Sequence, residues 1–304
     1  MRILSDKYLI INADDFGMCR AHNIATEELF KCGGITSATI MTPCPAATEA
    51  AEFARANPEL SIGVHLTTTA EWKSYKWGPV SQNHTSLTDE DGNFFPTSLD
   101  FATRARADEV ERELVAQVEW LLQRGVTPSH MDNHMGSLYG VANGDFSLLY
   151  ITAKIAERYS LPFRFPTNIS AETFTNGTLN VKADAAAITA AFSPVVDLLR
   201  ERRIATPDYL VPGDWLGEQD KSYENYKEYM LAFFDKIEPG ISETYIHPAV
   251  ECDEIKGISA AWRRRVWEHR LFSDPRTREY ISSLGIRLIN YRELKAMREG
   301  EYGL

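Results

Sequence analysis

Two adjacent carboxylates and a handful of histidines are the residues of this chain best suited to chemistry. Asp14 and Asp15 stand in Asn12-Ala13-Asp14-Asp15-Phe16-Gly17, His65 in Gly63-Val64-His65-Leu66, and two more histidines in His130-Met131-Asp132-Asn133-His134. Imidazole nitrogens and carboxylate oxygens are ligands for a divalent cation, and a second carboxylate beside the ion can take the proton of a water that the ion acidifies. Consecutive residues at a strand end diverge, so one of Asp14 and Asp15 can bind the cation while the other faces the water. His130, Asp132 and His134 alternate, which on an extended strand turns all three to one side. A catalytic cation keeps three protein ligands and an open position, so with Asp15 and His65 in the set, one of these histidines and Asp132 would stand behind the ligands and orient them. Taken singly the motifs are weaker: Asp-Asp also suits turns and helix caps, and a lone histidine is commonly a hydrogen-bonded structural residue.

Each motif follows an apolar run that reads as a strand buried on both faces: Tyr8 to Ile11, Leu60 to Leu66, and Pro128 to Met131. Between them lie helical patterns at about 22–31, stopped by Gly33-Gly34, and 46–56, stopped before Pro58, with a further strand at 35–41. This βαβαβ rhythm predicts a parallel sheet whose site lies at the carboxyl ends of the strands. Residues 67–103 interrupt it with Glu71-Trp72-Lys73, Tyr75-Lys76-Trp77-Gly78 and Asp91-Gly92-Asn93. Such an insertion after a site strand is either a substrate-binding loop, with exposed Trp72, Tyr75 and Trp77 to stack on sugar rings, or a flap over the core. Residues 107–124 form an amphipathic helix with Val110, Leu114, Val118, Leu121 and Leu122 on one side. Later the pattern gives helices at 142–159, 185–203, 223–236, 261–284 with a break near Pro275, and 291–298, and short strands at 163–166, 243–246 and 286–289. No repeat or linker divides the chain, so residues 1–304 are expected to form one catalytic domain.

Of the 304 residues 44% are hydrophobic and 25% charged, as in ordinary globular proteins, and the formal net charge of −11 argues against a nucleic-acid partner. The densest basic run, Arg263-Arg264-Arg265, is expected on the solvated face of a helix. Cys19, Cys32, Cys44 and Cys252 form no CxxC pair, which fits reduced thiols in the cytoplasm. Met1 to Lys7 reads into a strand and not a signal peptide, and no run approaches membrane-spanning length. His22 and His84 are expected at the surface, His269 as a structural residue, and Tyr139 and Asn143 near the substrate. Phosphate-binding glycine loops, the GxSxG elbow and paired-cysteine zinc motifs do not occur.

The Asn12 to Gly17 motif, Gly33-Gly34-Ile35-Thr36-Ser37 with Met41, Gly63 to Leu66, His130 to His134, Phe163-Arg164-Phe165-Pro166 and Ile246-His247-Pro248 together resemble, in order, the motifs of YdjC-like carbohydrate deacetylases. The resemblance runs through Arg270 to Gly285–Tyr291 and departs at Asn133-His134-Met135-Gly136, where many members carry Ser-His-His-His. It implies a distorted (β/α) barrel of mostly parallel strands, one divalent ion (magnesium or zinc) and removal of acetyl groups from N-acetylated sugars such as short chitooligosaccharides. By motif, Asp15, His65 and His134 resemble the metal ligands and Asp14 the general base. Arg164 resembles the arginine paired with the catalytic acid group, and His247 a histidine serving the leaving amine or the oxyanion. The expected partner is a small carbohydrate, with a homodimer as an alternative to the monomer. Two other readings stay open: a glycosidase using paired carboxylates such as Asp14 and Asp132, and a sugar-binding protein without turnover.

Overall fold

The computed structural model describes residues 6–168, 185–211 and 217–301, so the reading of Met1 to Ser5 lies outside the described residues. At its centre is β1 (Lys7–Phe16), whose residues from Leu9 onward are buried. Leu9, Ile11 and Ala13 join the main core beneath the helices, whereas Ile10 packs in a second cluster with Ala205, Ile241, Ile289, Tyr291 and Leu294. The period of two along a strand separates these faces, and it places Asn12 and Asp14 on the same face as Ile10.

The other strands are β2 (Ser37–Ile40), β3 (Ile62–Leu66), β4 (Met131–Asn133), β5 (Tyr209–Leu210), β6 (Gly240–Ile246) and β7 (Ile286–Leu288). Among the described residues the seven form one sheet in the order β4-β3-β2-β1-β6-β5, with β7 also paired to β1, and every pairing of these strands is parallel. Since β6 runs beside Lys7–Ala13, β7 beside Lys7–Leu9 and β2 beside Asn12–Phe16 share the opposite edge of β1. The sheet curls into a half-barrel, the parallel α/β architecture expected from the strand and helix rhythm.

Helices α1 (Arg20–Cys32), α2 (Ala47–Ala56), α4 (Ala107–Leu122) and α5 (Ser147–Tyr159) follow the expected segments, and α1 ends at Gly33 in the left-handed region at φ 70°. Two differences are local. The insertion after β3 ends in a short helix, α3 (Ser98–Arg104), capped by Thr97 Oγ1, which accepts from the Asp100 N–H. Among the described residues the segment expected as a strand at 163–166 makes one bridge, Phe163 to Met131; Pro162 before it and Pro166 at its end lack the N–H groups a ladder needs.

Helix α4 also fastens the insertion. Glu109, Glu113 and Gln117 form one buried row with a spacing of four. Glu109 accepts from the Thr85 and Ser86 N–H groups at 2.9 and 2.8 Å, and Glu113 from Val80 and Ser81 at 3.0 and 2.8 Å. Gln117 exchanges hydrogen bonds with the Thr67 backbone at 2.8 and 2.6 Å. The row ties backbone amides of the insertion to α4 through carboxylate acceptors, the stronger kind of hydrogen bond. No helix among the described residues is long and apolar enough to cross a membrane.

Candidate active site

The carboxyl ends of β1, β3, β4 and β6 meet on one rim. Asp14 continues the inner face of β1 and accepts from Asn12 Nδ2 at 2.8 Å. By strand alternation Asp15 would point the other way. It does not, because Asp15 adopts φ 61° where the β1/β2 register shifts between Ala13 and Phe16. This bulge re-aims a side chain, and aspartate tolerates the left-handed region better than most residues.

Asp15, His65 and His134 each offer a ligand atom, and these atoms lie within 4.8 Å of one another. Asp15 Oδ1 is 3.6 Å from His65 Nε2 and 3.4 Å from His134 Nδ1. The register of β3 on β4 sets His65 beside Asp132, whose Oδ1 binds His65 Nδ1 at 2.7 Å; Thr39 Oγ1 donates to Asp132 Oδ2 at 2.8 Å. At the outer side of His134, Nε2–H donates to Glu71 Oε2 at 2.9 Å. Asp15 Oδ1 is buried with no hydrogen-bond donor, while Oδ2 accepts from Arg265 Nη1 at 2.8 Å. An orphaned anionic oxygen between two imidazole nitrogens, each ring backed by a carboxylate, fits a divalent cation.

Arg164 is the hub beside this cluster. Its Nη1 and Nη2 each donate to Asp14 at 2.7 Å, Nη1 also lies 2.9 Å from Asp132 Oδ2, and Nε donates to Glu243 Oε1 at 2.7 Å. Burial pushes the Asp14 carboxyl upward, but Arg164, His65 and His247 outweigh it and hold the group down at about 2. Asp15 is held well below the usual carboxylate range against its own burial, by His247, His134 and Arg265. His65 is raised despite burial, because Asp132 holds its proton, and Glu71 and Asp15 bring His134 up to about 10. Glu243, whose other oxygen accepts from Tyr291 OH, is lifted by burial to about 7 in spite of Arg164. His247 Nε2 is 4.0 Å from Asp14 Oδ2, and burial takes its imidazole down to about 4 against the pull of Asp15. It is therefore neutral at neutral pH, lower than the near-neutral titration that general-acid chemistry would suggest.

The family model for YdjC-like proteins matches residues 8–283. The chain belongs to the YdjC-like family. It is 30% identical over 288 residues to a carbohydrate deacetylase of Geobacillus stearothermophilus, covering 94% of this chain and 98% of that one. A carbohydrate deacetylase of Thermoanaerobacter pseudethanolicus is 29% identical over 294 residues, covering 95% and 100%. A crystal structure from Enterococcus faecalis V583, provisionally described as a cellobiose-phosphate cleavage protein, superposes with TM-score 0.74 at 29% identity, over 95% of this chain and 99% of that one.

In this YdjC-like chain several expected residues stand elsewhere. His130 does not reach the cluster: its Nε2 meets Asn12 Oδ1 at 3.1 Å, its Nδ1 meets Ser129 Oγ at 2.9 Å, and its ring stacks on Tyr291 at 3.8 Å. A Cβ at Gly63 would clash with the His130 backbone oxygen and lie 2.7 Å from its Nδ1, so only glycine fits beneath it. The rings expected as an exposed platform are largely withdrawn. Trp77 is 3% exposed and donates Nε1–H to Thr69 O, Tyr75 donates to Met18 O, and Trp72 is half-buried. Tyr139, expected near the substrate, is buried with its hydroxyl on Arg164 O at 2.7 Å, and Asn143 Nδ2 donates to Ala102 O.

The arginine run is a correction of a different kind. Arg263 is exposed, but Arg264 and Arg265 are buried on the inward face of the helix Trp262–Ser273. Helix periodicity assigns charge to solvent, yet here Arg265 meets Asp15 across the core and Arg264 pairs with Glu268 one turn on in the same helix, and pairing offsets desolvation. His22, expected at the surface, is buried next to Arg265, which with desolvation lowers it to about 3. His269 is partnered by Glu28 at 3.0 Å, in line with a structural role. The residues missed from sequence are Glu71, Arg265, Glu243, Thr39 and Asn12. Two of them carried a local signal: Asn12, which opens the Asp-Asp motif, and Glu243, a lone carboxylate inside the strand Gly240–Ile246.

Proposed function

We propose that this chain is a metal-dependent carbohydrate deacetylase that hydrolyses the acetamide of an N-acetylated sugar, with short chitooligosaccharides as the substrate class and the whole chain as one catalytic domain. The observation that carries the reading is Asp15 Oδ1, buried without a donor between His65 Nε2 and His134 Nδ1, with Asp14 clamped alongside by Arg164. The names of the relatives supply the sugar and the acetyl group. Asp15, His65 and His134 would hold the ion, and two imidazoles among three donors favour zinc over magnesium, which prefers oxygen. When bound, such an ion supplies charge that acidifies a water and polarises the acyl carbonyl.

Asp14 accepts the proton of the attacking water at Oδ2, the oxygen facing His247. A carboxylate at about 2 keeps a proton only briefly, so it passes the proton on. The neutral His247 imidazole, 4.0 Å away, delivers it to the nitrogen as the C–N bond breaks, giving acetate and a free amine. Arg164 fixes the direction of Asp14, and Arg265 balances the charge of Asp15.

The glycosidase alternative needs a carboxyl group with a raised pKa. Asp14 is lowered, Asp132 is occupied by His65, Thr39 and Arg164, and Glu243, raised to about 7, is fully buried with its two oxygens bound by Arg164 and Tyr291. The test measures acetate and new reducing ends from N-acetylglucosamine, its β-1,4 oligomers and their phosphorylated forms, before and after chelation and with zinc or magnesium restored. Acetate release that chelation abolishes and zinc restores is expected. New reducing ends without acetate would make the chain a glycosidase, and sugar binding with neither product a binding protein.

A further inference from the structure

His65 and His134 present opposite ring nitrogens to Asp15, Nε2 and Nδ1 respectively, and each gives the remaining nitrogen to a carboxylate: Asp132 at 2.7 Å and Glu71 at 2.9 Å. Asp132 owes its place to strand register. Glu71 does not lie on a strand; it arrives from the insertion after β3. That segment is braced around it: Ala70 N–H donates to Phe95 O at 2.9 Å, Trp77 Nε1–H to Thr69 O at 2.8 Å and Tyr75 OH to Met18 O at 2.9 Å. Thr68 Oγ1 lies 2.7 Å from Ser137 Oγ, which donates to His134 O at 2.9 Å. His134 is thus held at both ends by the insertion, the carbonyl through Ser137 and the ring through Glu71.

His134 needs this hold more than His65 does. It opens a 3₁₀ turn beyond β4, followed by Met135 at φ 56°, so no strand ladder orients it. A neutral imidazole has one N–H, and a carboxylate acceptor at Nε2 keeps the proton there and leaves the Nδ1 lone pair for a cation.

We propose that Glu71 is a positioning residue of the cation site: it fixes His134 as the Nε2–H tautomer, aims Nδ1 beside Asp15 Oδ1, and adds a negative charge that tightens cation binding. This rests on Asp15, His65 and His134 being the ligand set. The metal-stripped full chain is titrated with zinc against a chromophoric chelator, and the His134 tautomer is read by nitrogen NMR on the zinc-loaded chain, in which the ligating imidazole is neutral. Glu71→Ala is expected to weaken zinc binding by about 10- to 100-fold and to lose the fixed Nε2–H signature. Glu71→Gln keeps an acceptor but not the charge; its loss is smaller, and it carries the test if the alanine variant folds poorly. Zinc affinity within about twofold of wild type in both variants would overturn the role of Glu71. His134→Ala separates the two readings: wild-type zinc affinity there would overturn the ligand set itself, whereas zinc lost in His134→Ala but kept in both Glu71 variants would overturn Glu71 alone.

Discussion

Arg164 grips both oxygens of Asp14 at 2.7 Å while its Nε holds Glu243, so one guanidinium serves three buried carboxylates once Asp132 is included. Removing it leaves those charges without a counterion. Arg164→Ala is expected to destabilise the fold by about 3–5 kcal/mol and to abolish activity. Arg164→Lys retains one charge but not the fork, and should recover part of the stability with little turnover. Thermal unfolding and kcat on the two variants check this; an alanine variant as stable as wild type would show that the carboxylates do not depend on Arg164.

Asp14 and Asp15 are neighbours with separate assignments. Asp14→Asn should lower kcat by about 10²- to 10⁴-fold with zinc content unchanged, because a base is lost and no ligand. Asp15→Asn should lose zinc, since the orphaned oxygen between the histidines becomes neutral. Metal analysis beside kinetics separates the two. Zinc lost from the Asp14 variant, or normal turnover by it, would reverse the division.

Glu243 gives the stability a pH signature. Its carboxyl is raised in the fold to about 7 from an ordinary 4.5, so the contribution is fully present below 4.5 and is lost as pH rises through 7. Asp14 has the opposite sign, stabilising above 3.8 and losing that effect as pH falls toward 2, outside this window. His22 and His247, held by burial at about 3 and about 4 against an ordinary 6.5, add an opposite rise over this window, so the Glu243 contribution is read as a difference. Between pH 4.5 and 7 the urea stability of wild type should fall relative to Glu243→Gln by at most about 3 kcal/mol. An identical slope in wild type and variant would place the pH dependence on other groups.

Trp72 and Trp77 should differ. Trp77 is buried and tied to Thr69 O, so Trp77→Ala costs stability, about 3–5 kcal/mol, and affects all substrates alike. Trp72 is half-buried beneath the Arg265 guanidinium, 5.6 Å from its ring, so Trp72→Ala should spare stability and raise KM for an oligosaccharide more than for a monosaccharide. Equal KM changes on both substrates would remove Trp72 from sugar binding.

Local order in the sequence determined much of this protein. Apolar runs at Tyr8–Ile11 and Leu60–Leu66, glycine stops such as Gly33 and the stripe of α4 define the parallel α/β architecture, because period and punctuation act over a few residues. The order of the Asp-Asp, His65 and His134 motifs likewise marked the residues that now stand within 4.8 Å. Tertiary structure alone decided which face each polar group would take. Asp15 swings onto the rim through a left-handed bulge that no pattern announces, His134 outcompetes His130 because the chain leaves β4 in a turn, and Glu71 reaches His134 across 63 positions. Arg265 lies 250 positions from the Asp15 it neutralises. Charge reads as solvent-facing in a single helix, and only the packed sheet supplies the buried carboxylate that turns it inward.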